Sequence, residues 1–191
     1  MAESLEKIRI KKVLGPTNTG TAVLLGNDQK TFVMFIGLYE GAAIIRELNG
    51  EVPARPLTHE LVSYILTGFN IEIKQIIISD ILNNTFCATL VLEQKVTDGN
   101  GEWVGKRNEV RIDARPSDCL ILALKEKRDI FCTPQVLEKV RDISEEIGLE
   151  KEVEGEPGSI PFTKPSFLEG LEDEFDADLG KDRESEEEGE S

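Results

Sequence analysis

The sequence predicts an α+β domain, in which helices pack on a single mixed β-sheet, followed by a disordered acidic tail. Three observations predict this class. Segments with strand patterning alternate with segments of helical spacing over residues 5–148. The order of these segments recurs when the sequence is shifted by 78 residues, which lays residues 32–47 over 110–125, strand on strand and helix on helix. Beyond residue 150, apolar residues become sparse and acidic residues dominate.

The first half of the domain, residues 5–66, has a β-β-α-α pattern after its opening strand. The predicted elements are strands at 5–14, 20–26 and 31–37 and helices at 39–48 and 55–69. A GPTNTG turn joins the first two strands, and Asn49-Gly50 is a left-handed stop signal for the first helix. Leu57, Leu61 and Ile65 recur on one face of the second helix, which predicts that it is amphipathic.

The second half, residues 83–148, is related to the first and repeats the β-β-α-α order. Its elements are strands at 85–96 and 108–114, a TDGNGEW hairpin turn between them, and helices at 116–127 and 133–148. One additional isoleucine-rich strand, at 71–79, lies between the two halves. Pro116 suits the first position of its helix, because proline fixes φ and lacks the amide hydrogen that a helix start leaves unpaired.

The acidity of the chain is concentrated in its tail. The net charge is −15, of which residues 151–191 contribute −11 and residues 1–150 only −4. The tail lacks the apolar surface that would offset the entropy of ordering it. We therefore predict one domain over 1–150 and a disordered acidic tail over 151–191. Within the tail, FLEGLEDEF has apolar residues near helical spacing, so docking on a groove stays open beside a fully solvated segment.

Cysteine usage and hydropathy predict where the protein resides. The three cysteines, Cys87, Cys119 and Cys132, stand among apolar neighbours and form no CxxC motif. This pattern favours buried, reduced thiols over a disulfide framework or a zinc site. No apolar run approaches the roughly 18 residues of a membrane span, and MAESLEKIRIKK lacks a signal-peptide core. We expect a cytoplasmic protein with no membrane partner.

Polar residues gather at the mouth of the helix at 116–127. Asp113 and Arg115 end the preceding strand, and Asp118 follows in the first helical turn. The unpaired amides of this helix start, together with Arg115, could bind an anion such as phosphate. Alternatively, ion pairs of Arg115 with either aspartate could fasten the strand to the helix, and Ser117 could cap the amides. The spacing leaves both interpretations open.

Other candidate site residues lie in the first half. Glu40 is the repeat equivalent of Asp118, and a carboxylate is favoured by the helix dipole at both positions. His59, the single histidine, and Arg55 stand near the start of another predicted helix. Histidine can accept a proton near neutral pH or bind a metal, but it is also a common polar residue at helix ends. Glu40, Asp113 and Asp118 offer the oxygen ligands that Mg²⁺ and Mn²⁺ prefer, although no tight acidic motif groups them.

Three motifs, GLYEGAAI, RPLTHELV and IDARPSDCLILALK, occur in this order, and IFCTPQVLEKV follows them. With these motifs, residues 5–145 closely resemble the bifunctional nuclease domain family. The resemblance implies an α+β fold and hydrolysis of both RNA and DNA. The polar positions of the motifs in this sequence are Glu40, Arg55, His59, Asp113, Arg115 and Asp118. Some family members carry a C-terminal UVR-type helical segment, where this chain has its acidic tail.

The charge of the domain is an objection to nucleic-acid binding, which usually shows as clustered Lys and Arg. One basic stripe, Lys7, Arg9, Lys11 and Lys12, lies on the first strand, and alternation places Lys7, Arg9 and Lys11 on one face. An exposed strand face or edge kept soluble by lysine explains the stripe equally well. The acidic tail could occupy this stripe or bind a protein partner.

Our leading hypothesis is a nuclease that hydrolyses RNA and DNA with little base preference, assisted by Mg²⁺ or Mn²⁺. The assigned roles are catalysis with metal binding for Glu40, Asp113 and Asp118, general-base catalysis for His59, and phosphate binding for Arg55 and Arg115. The competing hypothesis is a non-catalytic regulatory or adaptor domain that binds an anionic ligand or a protein. We also consider a homodimer, because a small mixed sheet often leaves an apolar face to cover.

Overall fold

The computed structural model describes residues 4–15 and 20–148, apart from the side chain of Lys106. The strands are β1 (Glu6–Leu14), β2 (Thr21–Gly26), β3 (Thr31–Ile36), β4 (Ile71–Leu82), β5 (Thr85–Thr97), β6 (Trp103–Ala114) and β7 (Ile130–Cys132). The helices are α1 (Leu38–Asn49), α2 (Thr58–Gly68), α3 (Pro116–Glu126), α4 (Pro134–Lys139) and α5 (Ser144–Gly148). The predicted turn at 15–20 falls largely, and the predicted tail entirely, outside the described residues.

The strands form one mixed sheet in the order β3-β2-β1-β7-β4-β5-β6. Each strand is antiparallel to its neighbours, except that β7 and β4 are parallel. The three residues of β7 join the two sides of the sheet, because Ile130 pairs with Ile8 on β1 and with Ile76 on β4. The predicted α+β class with a single mixed sheet is confirmed.

The sheet order refines the internal repeat. On each side of β7 lies an antiparallel three-stranded meander followed by a helix: β1-β2-β3-α1 on one side and β4-β5-β6-α3 on the other. Strand β4, which was expected to stand between the halves, is therefore the counterpart of β1. The units β3-α1 and β6-α3 coincide at the predicted shift of 78 residues, so the two helices that follow them begin at equivalent places.

Three helices build the layer that positions the polar residues. Helix α3 packs on β4 and β5, α1 packs on β2, and both α1 and α2 contact α3. Residues Cys119–Ala123 of α3 are all buried. Burial raises the pKa of the Cys119 thiol to about 12 and that of Cys132 to about 11, so both stay protonated near neutral pH. All three cysteines are free thiols, and Cys87, which was predicted to be buried with the others, is only partly buried.

Three local predictions are wrong. Strand β7 was not predicted, because three residues are too few to show a period. The helix predicted at 133–148 is broken, since α4 ends at Lys139 and Val140 is extended, with φ −78° and ψ 145°. The apolar face of α2 with Leu61 and Ile65 is exposed, and the helix buries Glu60 and Ser63 instead.

The chain forms one compact unit up to Ile143, and a second unit begins at Ser144. Of the second unit, the structure describes only α5. Within residues 4–15 and 20–148, no helix has the length and apolar composition that a membrane span requires.

Candidate active site

The first turns of α1, α2 and α3 meet at one place and carry Glu40, His59 and Asp118, respectively. The starts of α1 and α3 are equivalent in the repeat, because each helix follows the last strand of its meander and the two helices pack together. Helix α2 lies outside the repeated strand–helix unit. Its packing on α3 and β4 places its first turn beside the starts of α1 and α3. We call Glu40, His59, Arg115 and Asp118 the Arg115 cluster.

Arg115, the residue immediately before α3, links the two repeat-related carboxylates. Its Nε and Nη2 donate to Oδ2 and Oδ1 of Asp118 at 2.7 and 3.0 Å, and its Nη1 donates to Oε1 of Glu40 at 3.0 Å. These bonds use three of the five N–H donors of the guanidinium. The other two donors bond no described residue, and 65% of the side chain is exposed, so Arg115 can also bind an anion from solution.

His59 forms a dyad with the same aspartate. Its Nε2 lies 3.0 Å from Oδ1 of Asp118, and both side chains are partly shielded from solvent. An ionised carboxylate only accepts hydrogen bonds, so the proton of a neutral His59 belongs on Nε2 and leaves Nδ1 as the proton acceptor. Nδ1 bonds no side chain or backbone group in the described part of the chain. The dyad thus presents an oriented base.

Electrostatics keep the dyad aspartate ionised. The hydrogen bond from Arg115 lowers the pKa of Asp118, partial burial opposes this effect, and the contact with His59 adds to it. In return, the hydrogen bond and the charge of Asp118 raise the pKa of Arg115. At neutral pH the cluster therefore contains a fixed cation and an anionic partner for an imidazolium at His59.

Local sequence makes room for this arrangement. Gly37 precedes α1, and a Cβ built there would lie 2.3 Å from Oε2 of Glu40. A larger residue would push the glutamate away from its position beside Arg115. Pro116 occupies the first position of α3, as predicted, where its missing N–H costs no hydrogen bond.

A second polar cluster joins the same three helices and was not predicted. Lys125 Nζ on α3 donates to Oε1 of Glu47 on α1 at 3.1 Å and to Oε1 of Glu60 on α2 at 2.9 Å. The other oxygen of Glu60 accepts from the backbone N–H of Leu57 at 2.9 Å and caps α2. All three charged side chains are at most 19% exposed. We call Glu47, Glu60 and Lys125 the Lys125 cluster.

A signal for this second cluster exists in the sequence. Glu47 lies seven residues after Glu40 on α1, and Lys125 lies seven residues after Asp118 on α3. Seven residues are about two helical turns, so the two residues of α1 lie on one face of that helix, and so do the two residues of α3. Each of these helices therefore contributes one residue to each cluster. Glu60 directly follows His59 on α2, which completes both sets. The spacing alone did not reveal which partner each residue would meet.

The remaining predicted site residues stand apart. Asp113 lies on β6 opposite Thr89 and is exposed, and its side chain makes no hydrogen bond or ion pair with another described residue. Arg55 lies in the loop before α2, is exposed, and likewise has no such partner within residues 4–15 and 20–148. The structure thus brings together Glu40, His59, Arg115 and Asp118, and it leaves Asp113 and Arg55 outside their hydrogen-bond network.

The carboxylates predicted to bind a metal do not surround a common point. No group of three or more His, Cys, Asp or Glu side chains is placed to hold an ion in the described residues. Arg115 bonds both Glu40 and Asp118, so its guanidinium takes the place that a cation would share with them. A divalent ion shared by Glu40 and Asp118 would need Arg115 to release a carboxylate, and waters could complete its coordination.

The basic stripe on β1 is largely paired within the chain. Lys7 forms an ion pair with Asp129 at 2.7 Å, and Arg9 forms one with Asp28 at 2.8 Å. Because β1 lies inside the sheet between β2 and β7, the stripe is an exposed face rather than an edge. This pairing reduces the positive potential that the stripe could offer to phosphates.

Comparison with known proteins gives a family. The sequence model of the family described as "Bifunctional nuclease domain" matches residues 23–145, which include every residue of the Arg115 cluster. Two similar proteins of Mycobacterium tuberculosis carry the names "Uncharacterized protein MT1877", in strain CDC 1551 / Oshkosh, and "Uncharacterized protein Rv1829", in strain ATCC 25618 / H37Rv. Each is 30% identical over 111 residues, which cover 58% of this chain and 59% of the relative.

Proposed function

Because this chain belongs to the bifunctional nuclease domain family, we propose that it is a nuclease that hydrolyses phosphodiester bonds of RNA and DNA with little base preference. The observation that carries the proposal is the convergence of a His–Asp dyad and a largely exposed arginine at three helix starts. Such a set combines a base for activating water with a cation for the phosphate.

In this mechanism His59 is the general base. Nδ1 accepts a proton from the attacking water as the water oxygen bonds to phosphorus, while Asp118 holds Nε2 and stabilises the imidazolium that forms, as the aspartate does in a catalytic triad. The bond from phosphorus to the leaving sugar oxygen breaks, and that oxygen takes a proton from solvent. Attack by water requires no 2′-hydroxyl on the substrate, so one site can cleave both RNA and DNA.

Arg115 binds the phosphate in this mechanism through its two remaining donors. Its bonds to Glu40 and Asp118 fix the guanidinium at the helix mouth, so little side-chain entropy is lost when the phosphate binds. The free amides at the start of α3 add to the attraction. Arg55, which is exposed in the loop before α2, is proposed to contact a second phosphate of the nucleic-acid substrate.

Assistance by Mg²⁺ or Mn²⁺, with Glu40, Asp113 and Asp118 as ligands, remains a prediction, and it requires Arg115 to exchange contacts with these carboxylates for the substrate phosphate. Carboxylate oxygens are the ligands that these ions prefer, and Asp113 is exposed with both oxygens available to solvent ligands. A bound ion would stabilise the developing charge on the phosphate and lower the pKa of water. A cytoplasmic location and a homodimeric state are predictions of the same kind.

The test is cleavage of labelled single-stranded RNA and DNA by the purified chain in Mg²⁺, Mn²⁺ or EDTA. Wild type, Asp113→Asn and Asp129→Asn are compared, the last being the control, because Asp129 is also an exposed aspartate but pairs with Lys7. We expect turnover of both substrates that EDTA abolishes, that D113N loses and that D129N retains.

Each other outcome changes the proposal in a defined way. Turnover that persists in EDTA rejects the metal, and turnover that D113N retains rejects the role of Asp113. Stoichiometric binding of nucleic acid without cleavage indicates the competing function, a non-catalytic domain that binds an anionic ligand through Arg115.

The acidic tail is proposed to compete with nucleic acid for the basic stripe or to recruit a protein partner. Deletion of residues 151–191 removes eleven net negative charges and should strengthen binding of single-stranded nucleic acid at low salt. Unchanged binding and cleavage after the deletion would reject competition by the tail.

A further inference from the structure

Strand β6 is an outer strand of the sheet and is open on both faces. Its residues from Trp103 to Asp113 are exposed wherever the side chain is described, and β5 is its one neighbour in the sheet. The outer edge of such a strand carries backbone N–H and C=O groups that can pair with another strand. The opposite outer strand, β3, differs, because Thr31, Phe32 and Met34 are buried.

On one face of β6, apolar side chains extend the core face of the sheet but are not covered by a helix within the described residues. Val110 is paired with Leu92 and Ile112 with Leu90 on β5, so these four side chains lie on the same side of the sheet. Leu90 and Leu92 are 7% and 8% exposed, whereas Ile112 and Val110 are 41% and 53% exposed. Within the described residues, the helix layer therefore stops one strand short of the sheet edge.

The other face of β6 carries charges of alternating sign. Arg107, Glu109, Arg111 and Asp113 follow at every second residue and read plus, minus, plus, minus. This alternation has a centre at Val110, because each charge is matched by an opposite charge at the same distance on the other side of Val110. The segment 107–114 is also regular, since it pairs with β5 without a register shift, whereas Gly105 has a φ of 75°.

We propose that β6 pairs with β6 of a second copy of this chain, antiparallel and with the two-fold axis at Val110. In this register Arg107 faces Asp113 of the partner subunit, and Glu109 faces Arg111 of the partner subunit. The symmetry repeats both pairs, so four opposite-charge contacts form on one face. They would add to the ion pairs within each chain, in which Arg107 contacts Glu93, and Glu109 contacts Lys74 and Arg111. On the other face, Val110 meets its own copy and Ile112 meets Asn108 of the partner subunit.

The charges select this register against its neighbours. If the axis moves to Glu109, that glutamate faces its own copy, and Arg107 faces Arg111 of the partner subunit. If the axis moves to Arg111, that arginine faces its own copy, and Glu109 faces Asp113 of the partner subunit. Charged residues on an outer strand usually discourage pairing. In β6 the charges destabilise the neighbouring registers by like-charge repulsion and stabilise the register with its axis at Val110. The strand is therefore selective for a second copy of itself.

The interface would also complete the surroundings of Asp113. Arg107 of the partner subunit would supply this exposed carboxylate with an ion-pair partner that it does not have among the described residues, so Asp113 of the dimer would bind a metal ion only after releasing that arginine. The inference does not depend on nuclease activity, because it uses only the edge, the apolar face and the charge order of β6.

Cysteine cross-linking tests the register. In a Cys87→Ser background, which leaves only the buried Cys119 and Cys132, single variants Val110→Cys, Asn108→Cys and Ile112→Cys are treated with a mild oxidant or a short bismaleimide. We expect V110C to cross-link to itself as a dimer. N108C and I112C should fail alone, because like positions lie about 13 Å apart, and should cross-link to each other when mixed.

Sedimentation of the full chain tests the association itself. Wild type should sediment as a dimer, and Val110→Lys should sediment as a monomer because it places two lysines opposite each other. Leu61→Lys on the exposed face of α2 is the matched control and should leave the dimer intact. A monomeric wild type, a dimer that L61K but not V110K dissociates, or equal self-cross-linking of N108C and V110C would overturn the proposal.

Discussion

The Arg115 cluster and the Lys125 cluster are built on the same three helices but differ in exposure. In both clusters a cation from the chain around α3 bridges a carboxylate on α1 and a second acidic residue. The side chain of Arg115 is 65% exposed and that of Lys125 is 19% exposed. The bridging geometry is therefore similar, and the access of water is not.

This difference assigns different work to the two clusters. A buried ion pair that loses one partner leaves an uncompensated charge, so removing one member of the Lys125 cluster should destabilise the packing of α2 on α1 and α3. An exposed ion pair contributes little to stability because water and salt screen it. The Arg115 cluster can therefore exchange its contacts for a phosphate without loosening the fold. His59 and Glu60, adjacent on α2, divide between these two roles.

The largest expected effect is that of a substitution in the Arg115 cluster. His59→Ala should lower the rate of cleavage by about 10²–10⁴-fold, which is the usual contribution of a general base. The free energy of unfolding should fall by only about 1–2 kcal/mol, because the side chain of His59 is 18% exposed but makes one hydrogen bond to a described residue. Cleavage assays and urea denaturation of the same preparation measure both quantities, and a loss of activity matched by a loss of folded protein would contradict the assignment.

The next largest effect is expected on stability, from a substitution in the Lys125 cluster. Lys125→Met should lower the free energy of unfolding by about 3 kcal/mol, because it leaves Glu47 and Glu60 charged and shielded from water without their cation. Lys139→Met is the control, since Lys139 pairs with Asp80 at an exposed position and should cost less than about 1 kcal/mol. Equal costs for the two variants would show that burial is not what distinguishes the Lys125 cluster.

Arg115→Gln should have a smaller effect on stability than on activity. The free energy of unfolding should fall by less than about 1 kcal/mol, because the guanidinium is largely in water. Cleavage should fall by about ten- to a hundred-fold through loss of a charged hydrogen bond to the phosphate. Denaturation curves beside cleavage rates decide this, and a cost in stability as large as that of K125M would remove the contrast between the clusters.

The pH dependence of stability gives the finest comparison. Burial acts to raise the pKa of Glu60, but the hydrogen bonds from Lys125 and from the amide of Leu57 outweigh it, so the pKa lies below the ordinary 4.5. The contribution of Glu60 is therefore complete above pH 4.5 and is lost as the pH falls through the lowered value. Burial acts to lower the pKa of Lys125, but Glu60 and Glu47 raise it above 10.5.

The contribution of Lys125 is therefore complete below pH 10.5 and is lost as the pH rises through the raised value. The contribution of the Lys125 cluster to stability should be constant between these limits and fall on both sides. Denaturation from pH 3 to 11 should show that Lys125→Met weakens the alkaline fall. An unchanged alkaline limb in that variant would mean that Lys125 is not paired in solution.

The comparison of predicted and observed elements shows where local pattern is sufficient. Most strands and helices, the stop at Gly50 and the start at Pro116 follow from periodicity and from turn and cap chemistry, which act over a few residues. The repeat likewise identified Glu40 and Asp118 as equivalent, since equivalent elements place equivalent first turns. Strand β7 was missed because its pairing with β1 and β4, and not its own three residues, makes it a strand.

The α+β class, the repeated strand–helix unit and the polar motifs can be predicted from the sequence, because they depend on short-range spacing. The burial of Glu60 on α2 and the exposure of Leu61 depend on tertiary packing, since Lys125 on α3 binds Glu60. Tertiary packing also decided that His59 meets Asp118 while Asp113 stands apart. Contacts between residues distant in the chain carry no local signature, because they arise from how whole helices and strands pack.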